Sequence, residues 1–183
     1  MKKIIITGGL GYIGTELCKL YSGVSWNNKI VVIDNRFISE RVNQIRNWNM
    51  EFIHGDILDK ELINKYFKDA DIVHHLAGVT DVPRTKSESS EEKDAKIKTV
   101  AEEGTQNILN AINDNCKIIF PSTHVVYEGI EKVQNEISEN EAVKPILSYS
   151  SSKALNEKQL KNSGKNYIIL RLGSVYGYST DTA

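Results

Sequence analysis

The sequence predicts a doubly wound α/β fold, a parallel sheet with helices on both faces. Three observations predict it. Short β-rich apolar runs alternate with helical patterns along the chain. The runs are continuous rather than alternating, as in Ile30-Val31-Val32-Ile33, which marks strands buried on both faces and therefore parallel. The first run ends at glycines that lead straight into a helical pattern. The 183 residues make one full domain, or a large part of a two-domain protein.

Each element follows from its local pattern. Lys3 to Thr7 is the first strand, and Tyr12 to Tyr21 the first helix, with Ile13, Leu17 and Leu20 at helical spacing. Lys29 to Asp34 and Glu51 to His54 read as strands two and three. Lys60 to Phe67 is a short helix presenting Leu62, Ile63, Tyr66 and Phe67, and Asp71 to Leu76 is strand four. A long helix runs from about Asp94 to Asn113, with the apolar stripe Ile97, Val100, Ile108, Leu109 and Ile112 as core or as a dimer face. Lys117 to Phe120 is strand five, Pro145 to Lys161 holds another helix, and Asn166 to Arg171 is strand six. Right-handed crossovers place helices on both faces. The polar segment Thr80 to Lys93 reads as a solvated loop, or as a flap over a ligand.

Composition narrows the function. The chain is 40% hydrophobic and 26% charged, and 23 Lys plus Arg against 24 Asp plus Glu leave a net charge of -1. No broad basic field for nucleic acid and no polybasic membrane patch follows from that balance. Behind Met1-Lys2-Lys3, the run Ile4-Ile5-Ile6 breaks at Thr7-Gly8-Gly9, short of the ~7–15 residues of a signal sequence or the ~20 of a membrane span. The chain reads as cytoplasmic. Cys18 and Cys116 allow at most one disulfide, and reduced thiols are the simpler reading. No metal site is expected: His74 and His75 are adjacent, so they point to opposite faces of a strand, and His54 and His124 have no partners in sequence.

The chemistry-bearing motifs lie at the carboxyl ends of the expected strands. Thr7-Gly8-Gly9-Leu10-Gly11-Tyr12-Ile13-Gly14 joins the first strand to the first helix. Glycines at 8, 11 and 14 permit a tight turn, close approach of a pyrophosphate to the backbone, and close packing of helix on strand. The helix N-terminus offers free amides and its positive dipole end to the anion. Asp34 ends the second strand twenty residues after Gly14, where a carboxylate accepts both adenosine ribose hydroxyls and repels a 2′-phosphate. That selects NAD over NADP, with Arg36 lying beyond the acid. Gly55-Asp56-Ile57 closes the third strand, where an aspartate meets the adenine.

Tyr149 and Lys153 stand four residues apart and share one helix face. The ammonium is expected to favour the phenolate and lower the tyrosine pKa from its ordinary ~10, so that the phenol takes a proton from a sugar hydroxyl as hydride leaves the carbon. Ser122-Thr123 follows the fifth strand, where a hydroxyl can bond the reacting oxygen.

Together with His75-Leu76-Ala77-Gly78, Gly104-Thr105-Gln106-Asn107, Val126-Tyr127 and Arg171-Leu172-Gly173-Ser174-Val175-Tyr176-Gly177, these motifs resemble the extended short-chain dehydrogenases/reductases, the NAD-dependent epimerase/dehydratase group. The resemblance runs from Lys3 to about Tyr178. It implies a Rossmann-type domain over 1–178 with NAD as cofactor, and residues 179–183 opening a C-terminal substrate-binding part. It implies Tyr149 as base, Lys153 as its pKa partner and nicotinamide-ribose ligand, and Thr123 as hydroxyl helper. Gly8, Gly11, Tyr12, Ile13 and Gly14 would hold the pyrophosphate, Asp34 and Asn35 the adenosine ribose, and Asp56 and Ile57 the adenine. Leu76, Ala77, Gly78 and Thr80 would line the cofactor.

Nearest in character are the nucleotide-sugar 4-epimerases, with a UDP-sugar as substrate and a homodimer through the 94–113 and 146–161 helices. The family's Asn after strand six, which meets the sugar nucleotide, corresponds to Ser174. Dehydratases of the group carry Asp-Glu after the helper Thr, where this chain has His124-Val125, so an epimerase is expected. Family members continue past the point where this chain stops, so a fragment or a short form, with weak turnover alone, is the expectation. The competing readings are a family reductase or dehydrogenase on another carbonyl substrate, and a non-catalytic NAD-binding protein.

Overall fold

The computed structural model describes residues 1–79, 88–131 and 136–177. Strands β1 (Lys3–Thr7), β2 (Lys29–Asp34), β3 (Glu51–His54), β4 (Ile72–His75), β5 (Lys117–Thr123) and β6 (Asn166–Leu172) form one sheet in the order β3-β2-β1-β4-β5-β6. Every pairing is parallel. This is the Rossmann-type arrangement the sequence predicts. Strand order reverses between β1 and β4, so a crevice opens at the carboxyl ends of those two strands.

The continuous apolar strands split their side chains between two cores. Ile5, Val31, Ile33, Val73, Ile118 and Phe120 face one side, and Ile4, Ile6, Ile30, Val32 and Phe52 the other. The helices are α1 (Tyr12–Ser22), α2 (Ser39–Asn47), α3 (Lys60–Phe67), α4 (Glu91–Thr99), α5 (Thr105–Ala111) and α6 (Ser148–Asn162). Cys18 of α1 and Val42 and Ile45 of α2 cover the second core. Ile63 and Phe67 of α3, Ile108 and Leu109 of α5 and Leu160 of α6 cover the first.

Three details differ from the sequence reading, and one open choice is resolved. Helix α2 is absent from it, because Ser39–Asn47 is polar and buries only Arg41, Val42 and Ile45. The long helix starts at Glu91, capped by Ser90 Oγ on the Lys93 amide, and it is interrupted by a π-helical turn at Val100–Gly104. Close packing accompanies that turn: a Cβ on Gly104 would stand 2.7 Å from Ile57 Cγ1. Strand β5 extends to Thr123, so Ser122 and Thr123 are its last residues rather than a following turn. In the stripe along the long helix, Ile97, Ile108, Leu109 and Ile112 are all buried within this chain, which makes them core.

Candidate cofactor and catalytic site

The crevice is a cleft of about 760 Å³. Of the residues singled out from sequence, Gly8, Gly11, Tyr12, Asp34, Asn35, Asp56, Ile57, Leu76, Ala77 and Gly78 line it together. Ile13 and Gly14 are not part of this lining, Ile13 being exposed and Gly14 buried in the first turn of α1. Thr80 falls outside the described residues, as does the start of the expected flap.

The loop after β1 is shaped for close approach. Gly8 adopts φ +68°, and a Cβ there would stand 2.7 Å from the Ala77 amide nitrogen. Its own amide donates to Ile33 O at 2.8 Å, which pins the turn to β2. Helix α1 opens at Gly11 with no side-chain cap, so its first-turn amides keep their bonding capacity for an anion. The residues fit a dinucleotide: bare amides face the cleft at one strand end, and a carboxylate stands at the next.

Asp34 is 5% exposed. Its Oδ2 accepts the Leu10 amide at 2.9 Å, and its Oδ1 accepts the Arg36 amide at 2.9 Å and Arg36 Nε at 3.4 Å. The acid is thus held rigidly, and Arg36, half-exposed on the cleft wall, reaches back to it. Asn35 Nδ2 donates to Asp56 Oδ2 at 2.9 Å, joining the residues expected at the ribose and the adenine. Asn107 of α5 donates to Ile57 O at 3.1 Å and fixes the loop after β3 from behind.

A buried polar chain runs beneath the loop after β4. Thr7 Oγ1 accepts the Ala77 amide at 3.1 Å and bonds His75 Nδ1 at 3.1 Å. His75 Nε2 bonds Thr105 Oγ1 at 2.9 Å, and Asn156 Nδ2 of α6 donates to the same hydroxyl at 2.9 Å. His74 points the other way and bonds the Tyr21 hydroxyl at 2.8 Å. Burial pushes the His75 pKa down to about 3, with the charge of Lys153 adding to the effect.

Tyr149 and Lys153 lie one turn apart on α6, which packs against β5 and against the turn His124–Tyr127 that follows Thr123. Lys153 Nζ donates to Pro121 O at 3.0 Å and sits 4.6 Å from the Phe120 ring centroid and 5.8 Å from that of Tyr149. Burial pushes its pKa down to about 8. The expected lowering of the Tyr149 pKa is not found: burial raises it. The physical reason is that the ammonium bonds a main-chain carbonyl and faces the ring, while the phenol loses water. Thr123 Oγ1 accepts the Val125 amide at 3.3 Å. Ser174 is exposed beyond the end of β6, and the same segment returns toward the cleft where Gly177 O accepts the Tyr12 hydroxyl at 3.1 Å.

The lysine gives a direct measurement. A 13Cε titration of Lys153 is expected to show a midpoint near 8. Because the folded value lies below the unfolded ~10.4, this group's share of stability is complete above ~10.4 and is lost as pH falls through about 8. A midpoint above 10 would show the side chain to be solvated.

Wall residues that escaped the sequence reading include Leu58, Val79, and Ala95, Lys96 and Thr99 of α4, while Val100, expected as core or dimer face, also lines the cleft. The i, i+4 spacing of Ala95 and Thr99 and the i, i+3 spacing of Lys96 and Thr99 were the available signal, since they give α4 a second face beside the buried Ile97. Among the described residues no group of three His, Cys, Asp or Glu could hold a metal, and no helix is long and apolar enough to cross a membrane. Cys18 and Cys116 are both buried free thiols, with burial pushing Cys18 up to about 12 and Cys116 up to about 11.

Residues 4–183 match the family described as the NAD dependent epimerase/dehydratase family. The chain belongs to that family. A putative UDP-glucose 4-epimerase of Methanocaldococcus jannaschii is 32% identical over 97% of this chain and 57% of its own length. A dTDP-D-glucose 4,6-dehydratase of Dictyostelium discoideum is 31% identical over 97% of this chain and 44% of its own. Among solved structures, the Bordetella bronchiseptica enzyme WbmH in complex with NAD+ superimposes with a TM-score of 0.80 at 28% identity, covering 97% of this chain and 57% of that one. UDP-glucuronic acid 4-epimerase of Bacillus cereus in complex with NAD gives 0.78 at 29% identity, covering 96% and 57%. This epimerase/dehydratase family chain therefore spans about half the length of the relatives it matches.

Proposed function

We propose that this chain is the NAD-binding and proton-transferring part of a nucleotide-sugar 4-epimerase acting on a UDP-sugar. The observation that carries the reading is the cleft that brings together Gly8, Gly11, Tyr12, Asp34, Asp56 and Leu76–Gly78; Tyr149, Lys153 and Thr123 lie outside its lining, the first two on the helix that packs on β5. The uncapped first turn of α1 holds the pyrophosphate, and Asp34 with Asn35 holds the adenosine ribose. NAD held there would supply the hydride acceptor and donor for C4 of the sugar. As the phenolate, a form that burial disfavours here, Tyr149 takes the hydroxyl proton, Lys153 binds the nicotinamide ribose and supplies positive charge, and Thr123 bonds the reacting oxygen. Ser174 contacts the sugar nucleotide. Pairing of two copies through α4–α5 and α6, and a cytoplasmic location, belong to the same reading.

An epimerase is preferred to a dehydratase because water elimination needs an acid and a base beside the reacting carbons. After Thr123 this chain has His124, whose Nδ1 lies 3.2 Å from Leu172 O, and the apolar Val125. Calorimetric titration with NAD should give saturable heat for the 183-residue chain, while conversion of UDP-galactose by it alone should be negligible. In a longer polypeptide carrying the substrate part, epimerisation should appear, and Tyr149→Phe should abolish it without changing NAD affinity. Absence of NAD binding, or release of a 4-keto-6-deoxy sugar nucleotide instead of an epimer, would overturn the reading.

A further inference from the structure

Helix α6 carries Tyr149 and Lys153, yet it begins without a cap of its own: Leu147 stands at the N-cap and makes no side-chain bond. The N-terminal amides of a helix need an acceptor from elsewhere. Glu128, at the end of the turn that follows Thr123, supplies one. Its Oε1 accepts the Ile146 amide at 2.6 Å, the Leu147 amide at 2.7 Å and the Ser150 hydroxyl. In a capping box the third residue of the helix reaches back to the N-cap amide. Here a carboxylate nineteen residues upstream of Leu147 does so.

The same two segments are paired through the main chain. The Lys144 amide donates to Val126 O at 2.8 Å, and the Gly129 amide to Lys144 O at 2.8 Å. Glu128 is thus the side-chain bolt of a joint that begins at Thr123 and ends in the first turn of α6. Burial alone would raise its pKa, but the bonds from Ser150, Leu147 and Ile146 outweigh that and hold it below the usual carboxylate range.

We propose that Glu128 is a positioning residue: its carboxylate locks the Thr123 turn to the start of α6 and so fixes Tyr149 at the carboxyl edge of the sheet. The proposal deepens the epimerase reading and rests on its assignment of Tyr149 as the base. Tyr149 is the second residue of α6, so loosening this joint moves the phenol before it moves Lys153.

Length and charge of the side chain separate the alternatives. Glu128→Asp keeps the charge and shortens the reach; Glu128→Gln keeps the reach and an oxygen acceptor but loses the charge; Glu128→Ala loses both. Each variant of the full chain is read by the titration of Tyr149, followed by 13Cζ-tyrosine NMR with Tyr149→Phe assigning the signal, and by amide exchange across Ser150–Ser152. Ala and Asp should bring the Tyr149 midpoint down toward the ordinary ~10 and speed exchange roughly tenfold, as loss of a helix cap does. Gln should stay near the parent in both. Any pattern other than Gln alone resembling the parent overturns the proposal, and should the alanine variant fail to fold, the Asp and Gln pair decides it. NAD titration of the parent is read separately: a parent that binds no NAD sinks the epimerase reading, while the joint is still tested by the three variants.

Discussion

Replacing Gly14 with alanine should abolish measurable NAD binding and destabilise the fold. A Cβ at this position would drive into the Gly8 carbonyl oxygen and stand 2.7 Å from Gly9 Cα. Neither obstacle is a flexible side chain that can swing aside; both belong to the main chain of the loop after β1. The loop has little room to retreat, because Gly8 N is bonded to Ile33 O and Leu10 N to Asp34 Oδ2. The added methyl must therefore push α1 off β1 or distort the turn, at about 1–3 kcal/mol for overpacking of this kind. For a domain of this length that is a fall of roughly 2–4 °C in Tm per kcal/mol. Binding should suffer more than stability, since the amides that face the anion move with the loop. Gly23→Ala is the control: it follows α1 in helical geometry with nothing within 4 Å of its Cβ, and it should leave NAD affinity unchanged and stability equal or higher. Calorimetry and thermal melts of the two variants read both effects, and normal NAD affinity in Gly14→Ala would remove the loop from the binding site.

Glu157→Ala should give the largest loss of stability of any single change considered. Glu157 lies on α6 and is 2% exposed, with Oε2 2.6 Å from Arg171 Nη2 and Oε1 2.9 Å from Arg171 Nε. Ser122 Oγ donates to Oε1 at 2.7 Å. Arg171 continues the network to the Tyr127 hydroxyl and to Glu139 O. The bidentate pair joins α6 to β6, and removing one partner strands a guanidinium whose side chain is only 12% exposed. Breaking such a pair costs about 3–5 kcal/mol. Burial on its own raises the Glu157 pKa, but the bonds from Arg171 and Ser122 and the charges of Arg171 and Lys161 win, and the carboxyl ends below its ordinary value. Its contribution to stability is therefore complete above the unfolded ~4.3 and is lost as pH falls through the lower folded value. Acid unfolding of the parent should contain this step, and Glu157→Gln should lack it. Lys161→Ala, which removes a half-exposed partner at 3.4 Å, should cost no more than about 0.5 kcal/mol. Melts of Glu157→Ala within a degree of the parent would show that the pair holds nothing together.

Much of this architecture was legible because it rests on local pattern. The runs at Ile4–Ile6 and Ile30–Ile33 announce strands buried on both faces, and the glycines that follow the first of them announce a turn that no side chain could occupy. The same rule placed Asp34 and Asp56 at strand ends, and both line one cleft. What escaped was set by tertiary contact. Helix α2 shows no apolar period because its buried face includes Arg41, which donates to Leu10 O. At the π turn Val100–Gly104, Gly104 packs closely on Ile57, a tertiary contact that no local pattern announces. The Tyr149 environment was misjudged for a related reason: sequence spacing tells that a lysine shares the tyrosine's helix face, but not that Pro121 O captures the ammonium. Likewise nothing in the residues around Leu147 says that their acceptor arrives from Glu128.

The imidazole of His75 leaves one more mark on how the molecule responds to its surroundings. With a pKa near 3 and both ring nitrogens engaged, by Thr7 on one side and Thr105 on the other, it keeps a single proton from mild acid to alkali. It is an insulator rather than a sensor: acidification within the neutral range leaves its charge unchanged while groups nearer the solvent titrate.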